Sequence, residues 1–211
     1  MSRVAAADQS DGVGADEVHE DETFSGDDWY GEEIVDRSYR NCTFWNVDLT
    51  ESMSRGAHFE ECTFHKVRFN ASRHTDSAFL RCVFRGCNLF KAEFTGCKLV
   101  GSTFHECDLR PLTVSGGDWS FVNLTGADLR GTQFRGVRMR EVDLTRANCL
   151  RAVLADADLS GARWDGADLS ECDLRGSDLS SLVATEVRLA GAIITADQAI
   201  VVARNLGFDV R

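Results

Sequence analysis

A single proline in 211 residues excludes a collagen-like or proline-rich chain. No apolar run approaches the roughly 18 residues that a membrane-spanning helix needs, so no span is expected. The opening stretch MSRVAAADQSDGVGADEVHEDE has no apolar centre of the kind a secretory signal carries, and the expectation is a soluble, cytoplasmic protein. Eight cysteines are present without one Cys-x-x-Cys pair, which argues against a zinc or redox motif. Bases are nearly missing at the start: residues 1–33 hold eleven acids and one base, the remainder 23 acids and 22 bases. The net charge of −11 therefore sits mostly at the N-terminus. Residues 1–22 are rich in Gly, Ala and Asp, lack hydrophobic periodicity and read as a disordered acidic tail.

What the chain does have is a beat of five. Ala157-Asp158-Leu159 returns as Ala167-Asp168-Leu169, as Cys172-Asp173-Leu174 and as Ser177-Asp178-Leu179. Every fifth residue from Phe24 to Ile194 gives 35 positions without insertion or deletion. Ten of the thirteen Phe fall among these centres; only Ser54 and His74 are polar, and Cys149 and Ala184 are small. Two residues before the centre the chain is small from 42 to 192, with Leu112 and Leu182 as exceptions. Two residues after it stand fourteen of the eighteen glycines. A helix repeats every 3.6 residues and a strand every 2, so neither keeps this register. The pattern fits a solenoid that turns a corner every five residues. The large centre and its small neighbour point inward, and glycine serves a corner that needs positive φ. Stacked coils pair as parallel strands about 4.8 Å apart. A lone coil cannot bury its own face, so stacking supplies the stability.

The motif A-(D/N)-L-x-x, met at 127–131, 157–161 and 167–171, resembles the pentapeptide repeat proteins. That resemblance implies an all-β fold, a right-handed quadrilateral parallel β-helix of 20 residues per coil, over residues 23–194. On that geometry Cys42, Cys62 and Cys82 share one ladder. Seven of the cysteines occupy the small inward column and read as packing groups. His65 and His105 stand two coils apart, roughly 9.6 Å, too far to share a metal. His74 stacks above Ser54 as a polar defect in the core, either hydrogen-bonded or marking a bulge. A packed solenoid offers no pocket for a nucleophile and its base. No enzyme activity, catalytic residue, metal or cofactor is expected. The Asp residues before the centres are read as surface groups that hydrogen-bond nearby backbone.

After Ile194 the beat stops. Thr195 with Gln198 forms a capping-box pattern, and Gly207 stands where a helix would end. Residues 195–211 thus read as a capping and dimerisation helix. Ala199, Val202, Ala203 and Leu206 would plug the last coil. Ile200, Val201, Arg204, Leu206 and Phe208 would meet a second copy across a two-fold axis. The stretch Arg110-Pro111-Leu112-Thr113 and the ending Asp197-Gln198-Ala199 resemble the DNA gyrase-binding, fluoroquinolone-resistance branch of the family. This resemblance implies a C-terminal homodimer that mimics DNA, binds gyrase and itself binds no nucleic acid.

The charge qualifies that expectation. Duplex DNA carries one charge per about 1.7 Å, whereas the chain after residue 33 is nearly neutral. Residues 153–186, however, carry eight acids and two bases. Asp156, Asp158, Asp165, Asp168, Asp173 and Asp178 are therefore the expected partner-binding surface, forming an acidic saddle in the dimer. Asp158 and Asp178 would stack about one strand spacing apart as a like-charge pair that costs stability. The alternative is a scaffold that binds an unrelated protein laterally through Trp45, Leu80, Phe90, Val100 and Phe121. A further expectation is that residues 1–33 fold back on the basic N-terminal coils, since residues 34–100 hold seven acids and ten bases.

Overall fold

The computed structural model describes residues 18–211. Most of the expected acidic tail, residues 1–17, lies outside the described residues. The remainder of that tail does not: Val18–Glu20 is a strand paired in register with Ser38–Arg40. His19 occupies a centre position and stacks on Tyr39 at 4.8 Å. The solenoid thus begins before Phe24, and residues 18–33 form its first described coil rather than a strap folded over it.

The chain is a right-handed, four-sided β-helix closed by one α-helix, Ala196–Asn205. The first face stacks Val18–Glu20, Ser38–Arg40, His58–Glu60 and Ala78–Leu80. The second stacks Thr23–Ser25, Thr43–Trp45, Thr63–His65, Val83–Arg85 and Thr103–His105. The fourth carries seven strands, from Glu33–Val35 to Val153–Ala155. The third holds only isolated bridges, such as Asp28 to Asp48 and Asp48 to Arg68. Every recorded pairing is parallel and joins residues 20 apart, for example Phe44 with Phe64 and Phe64 with Phe84.

The interior is filled by the centres. Phe44, Phe64 and Phe84 stack at 4.8 Å, the strand spacing itself. Tyr39, Phe59 and Phe79 do the same at 4.8 and 4.7 Å. Leu129, Leu144, Leu159, Leu169 and Leu174 are fully buried lower in the rod. Each such side chain contributes about 1.5–3 kcal/mol on burial. Where the interior tightens, the small column gives way entirely: a Cβ on Gly117 would overlap the Cys97 carbonyl, beside the fully buried Trp119.

The corners lie two residues after each centre. Among the described residues, eighteen non-glycine residues adopt the left-handed region, and all of them stand there, from Asp21 to Glu171. The corner demands this conformation whether or not glycine supplies it. Between corners, the residue before the centre decides the form of the wall. Thirteen centres follow an Asp or Asn, whose Oδ1 in each case accepts the N–H two residues on. None of those centres lies in a three-residue strand. Nine of the ten Phe centres, preceded by residues such as Thr, Val, Ala or Glu, do. The side-chain bond bends the chain early, and every three-residue strand lacks it.

The polar core positions are hydrogen-bonded. His74, fully buried, reaches Ser54 Oγ through Nδ1 at 2.7 Å and Ser72 Oγ through Nε2 at 3.0 Å. Ser72 spends its proton on the Phe69 carbonyl, so Nε2 donates and Nδ1 accepts from Ser54. Ser77 Oγ closes the group at 2.9 Å from Ser54. Burial holds the imidazole neutral, its pKa down to about 3. All eight cysteines are free thiols. Inward ones donate to carbonyls, as Cys62 does to Tyr39 O and Cys82 to Phe59 O, each at 3.4 Å.

The C-terminal helix forms with both halves of its capping box, Thr195 and Gln198. Its docking differs from the expected apolar plug, because Ala199 and Leu206 are exposed and only Val202 packs against the core. The anchors are amides. Gln198 Nε2 donates to the Leu174 and Ser177 carbonyls, both at 2.7 Å. Asn205 Nδ2 donates to those of Leu179, Ser180 and Leu182 at 3.1–3.3 Å. No further coil covers these edge carbonyls, so polar groups satisfy them better than methyl groups could.

Candidate protein-binding surface

The six expected aspartates ring the rod instead of forming one patch. Asp158 and Asp178 project from the first face, Asp165 from the second, Asp168 from the third and Asp173 from the fourth; Asp156 stands on the corner between the fourth and first. The structure brings three of them together: Asp156, Asp158 and Asp178 line one shallow groove with Arg140, Ser160 and Gly176. The absence of a side chain at Gly176 lets the Asp156 carboxylate lie across that corner.

Pairing divides the same six residues into two sets. Asp158 meets Arg140 at 2.6 Å, Asp168 meets Arg188 at 3.1 Å and Asp173 meets Arg175 at 2.7 Å. All three are half-buried. Hydrogen bonds from Ser160, then Arg140, hold the Asp158 carboxyl below the usual range; Ser170, then Arg188, do so for Asp168, and Arg175 for Asp173. Asp156, Asp165 and Asp178 are exposed and have no ion pair among the described residues. Asp158 and Asp178 do stand one coil apart on the same face, and Arg140 offsets the repulsion by pairing with Asp158.

The Asp168–Arg188 pair carries a legible signal, an opposite charge 20 residues away, whereas Arg140 lies 18 residues from Asp158 and Arg175 only two from Asp173. Arg68 with Asp48, Arg138 with Asp118, Arg163 with Asp143 and Arg151 with Glu171 all follow that rule at 2.6–3.1 Å. One-coil ion pairs neutralise much of the outer wall, and the uncompensated charge resides on the exceptions.

Ile200, Leu206 and Phe208 are exposed, as is Ile193 on the last coil; Phe208 reaches 65%. Arg204 is exposed and Val201 half-buried. Among the described residues, no group of three or more His, Cys, Asp or Glu is arranged to hold a metal. No helix there is long and apolar enough to cross a membrane.

A four-sided β-helix with a five-residue period, large inward centres and a small inward column defines the pentapeptide repeat class, and this chain belongs to it. Residues 87–164 match the family described as pentapeptide repeat region, and residues 152–191 match pentapeptide repeats in eight copies. The chain is similar to the pentapeptide repeat protein MfpA of Mycobacterium tuberculosis, with 38% identity over 95 residues. That alignment takes in 45% of this chain and 52% of MfpA, so the match spans about half the length of its relative. A trypsin-treated structure of QnrB1, described as a plasmid-mediated fluoroquinolone resistance protein, superposes with a TM-score of 0.76. It covers 93% of this chain and 98% of its own at 22% identity, which establishes the shared fold.

Proposed function

We propose that this protein is a non-catalytic DNA mimic that binds DNA gyrase in the cytoplasm and modulates supercoiling or quinolone sensitivity. It would act as a homodimer joined at the C-terminal helices. Similarity to MfpA and the fold shared with QnrB1 support the reading. The observation that carries it is local: three unpaired, exposed carboxylates stand on the last coils, next to a helix that leaves Ile200, Leu206 and Phe208 in water. Burying those side chains against a second copy would gain about 1.5–3 kcal/mol each. The two-fold axis would then place two sets of Asp156, Asp165 and Asp178 near the centre of a longer rod. The rod would occupy the basic surface that otherwise holds duplex DNA, by shape and by charge.

Inhibition of gyrase supercoiling tests the proposal. Asp156→Asn, Asp165→Asn and Asp178→Asn together should weaken inhibition by at least roughly tenfold, equivalent to about 1.4 kcal/mol. Asn at 178 can still accept the Ser180 N–H, so the wall is preserved. Unchanged potency overturns the assignment. The lateral-scaffold alternative finds less support. Trp45, Phe90 and Phe121 stand on different parts of the circumference, and Leu80 and Val100 are half-buried. Apolar residues exposed singly are ordinary.

A further inference from the structure

The second face of the N-terminal coils differs from the rest of the wall. Its outer rows run in register: Thr43, Thr63, Val83 and Thr103 on one side; Trp45, His65, Arg85 and His105 on the other. Trp45 is 43% exposed and lies flat on His65, with centroids 3.9 Å apart and planes at 4°. On the adjoining corner the stem of Lys66 lies over Gly86, which brings it beside Arg85. Arg85 and Lys66 have no ion pair among the described residues, while Arg68 and Arg81, on either side of the face, are paired. Glu106 is the one acid among the outward positions and the corner that carries Lys66; Glu61, on the other corner, is paired with Arg81. Two neighbouring cations without a counter-charge repel, which favours an anionic cover.

The stacking geometry narrows the kind of anion. The rings lie face to face along the rod axis, so their electropositive edges point outward. Edges and ammonium or guanidinium groups suit carboxylates. The chain itself supplies a carboxylate segment. Residues 1–17 include Asp8, Asp11, Asp16 and Glu17 against one base, Arg3. They join the rod at Val18 on the first face, one corner from the second. Seventeen residues reach up to about 56 Å when extended, whereas the rows from Trp45 to His105 span about 14 Å at the strand spacing. A short tether supplies an effective concentration near the millimolar range.

We propose that the acidic segment 1–17 docks on the second face, over Trp45, His65, Lys66 and Arg85. It would mask the basic patch of the N-terminal coils and give the rod a more uniformly negative outer wall. The inference does not depend on what the last coils bind.

The test is the indole N–H resonance of Trp45, identified by Trp45→Phe, in the full chain and in a chain lacking residues 1–17. Deletion should shift it at low salt. High salt should bring the full chain to the deletion's value, because screening shortens to about 3 Å at 1 M. In a Lys66→Glu/Arg85→Glu background the same deletion should leave Trp45 unmoved, while the buried Trp119 resonance reports an intact fold throughout. Identical Trp45 resonances with and without the segment overturn the proposal. So does a deletion shift confined to Trp29, which would place the segment over the first coil, or one that persists in the charge-reversed background.

Discussion

Phe-centred and Leu-centred coils keep the same count of five and build different walls. The upper coils run as flat three-residue strands whose rings stack at 4.7–4.8 Å. Below Ala155 no three-residue strand is present, and Asp158, Asp168, Asp173 and Asp178 each bend the chain with a side-chain hydrogen bond. The residue ahead of the centre therefore sets the local wall, while the centre sets the packing. The upper wall stacks more rings; the lower wall has more of its carboxylates placed directly ahead of a centre, some paired with arginines and some free.

The largest expected contrast lies in the core. Phe64→Ala removes a ring stacked between Phe44 and Phe84 and should cost about 3–5 kcal/mol. Leu159→Ala, in the lower coils, should cost about 2–5 kcal/mol and toward the lower part of that range if the small alanine column lets the coils settle inward. Chemical denaturation of both variants measures the difference. A larger loss for Leu159→Ala would reverse the ranking.

The next effect belongs to the upper coils alone. His74 in the folded chain takes up a proton near pH 3, against about 6.5 when unfolded. Its contribution is fully present above pH 6.5 and is lost as pH falls toward 3, by up to about 1.4 kcal/mol per unit. His74→Phe, which can stack on Phe94, should flatten the stability profile between pH 6.5 and 4. An unchanged slope would mean the folded imidazole is not held neutral.

The smallest effect separates geometry from charge in the lower wall. Asp143 accepts the Thr145 N–H at 2.9 Å and pairs with Arg163 at 3.1 Å. Asp143→Ala should cost about 1 kcal/mol. Asp143→Asn, which keeps the backbone bond, should cost less than half of that. Equal costs would assign the role to the ion pair instead.

Much of this architecture was legible in the chain. The five-residue column placed Phe44, Leu159 and the inward cysteines in the core, and Thr195 with Gln198 marked the helix start. His19 was missed because an imidazole does not read as a centre until it stacks on Tyr39. The helix anchors were missed because Gln198 already had a role in its capping box, and its bonds to Leu174 and Ser177 connect elements more than 20 residues apart. The candidate site was half legible. Composition singled out the acids of residues 153–186, but the Arg140 and Arg188 partners of Asp158 and Asp168 come from neighbouring coils and emerge only when the coils stack.

Competition between the protein and duplex DNA for purified gyrase tests the central claim most directly. The account predicts that saturating DNA displaces the protein, and that raising the salt weakens binding steeply. Retention of the protein on gyrase in the presence of saturating DNA would contradict it.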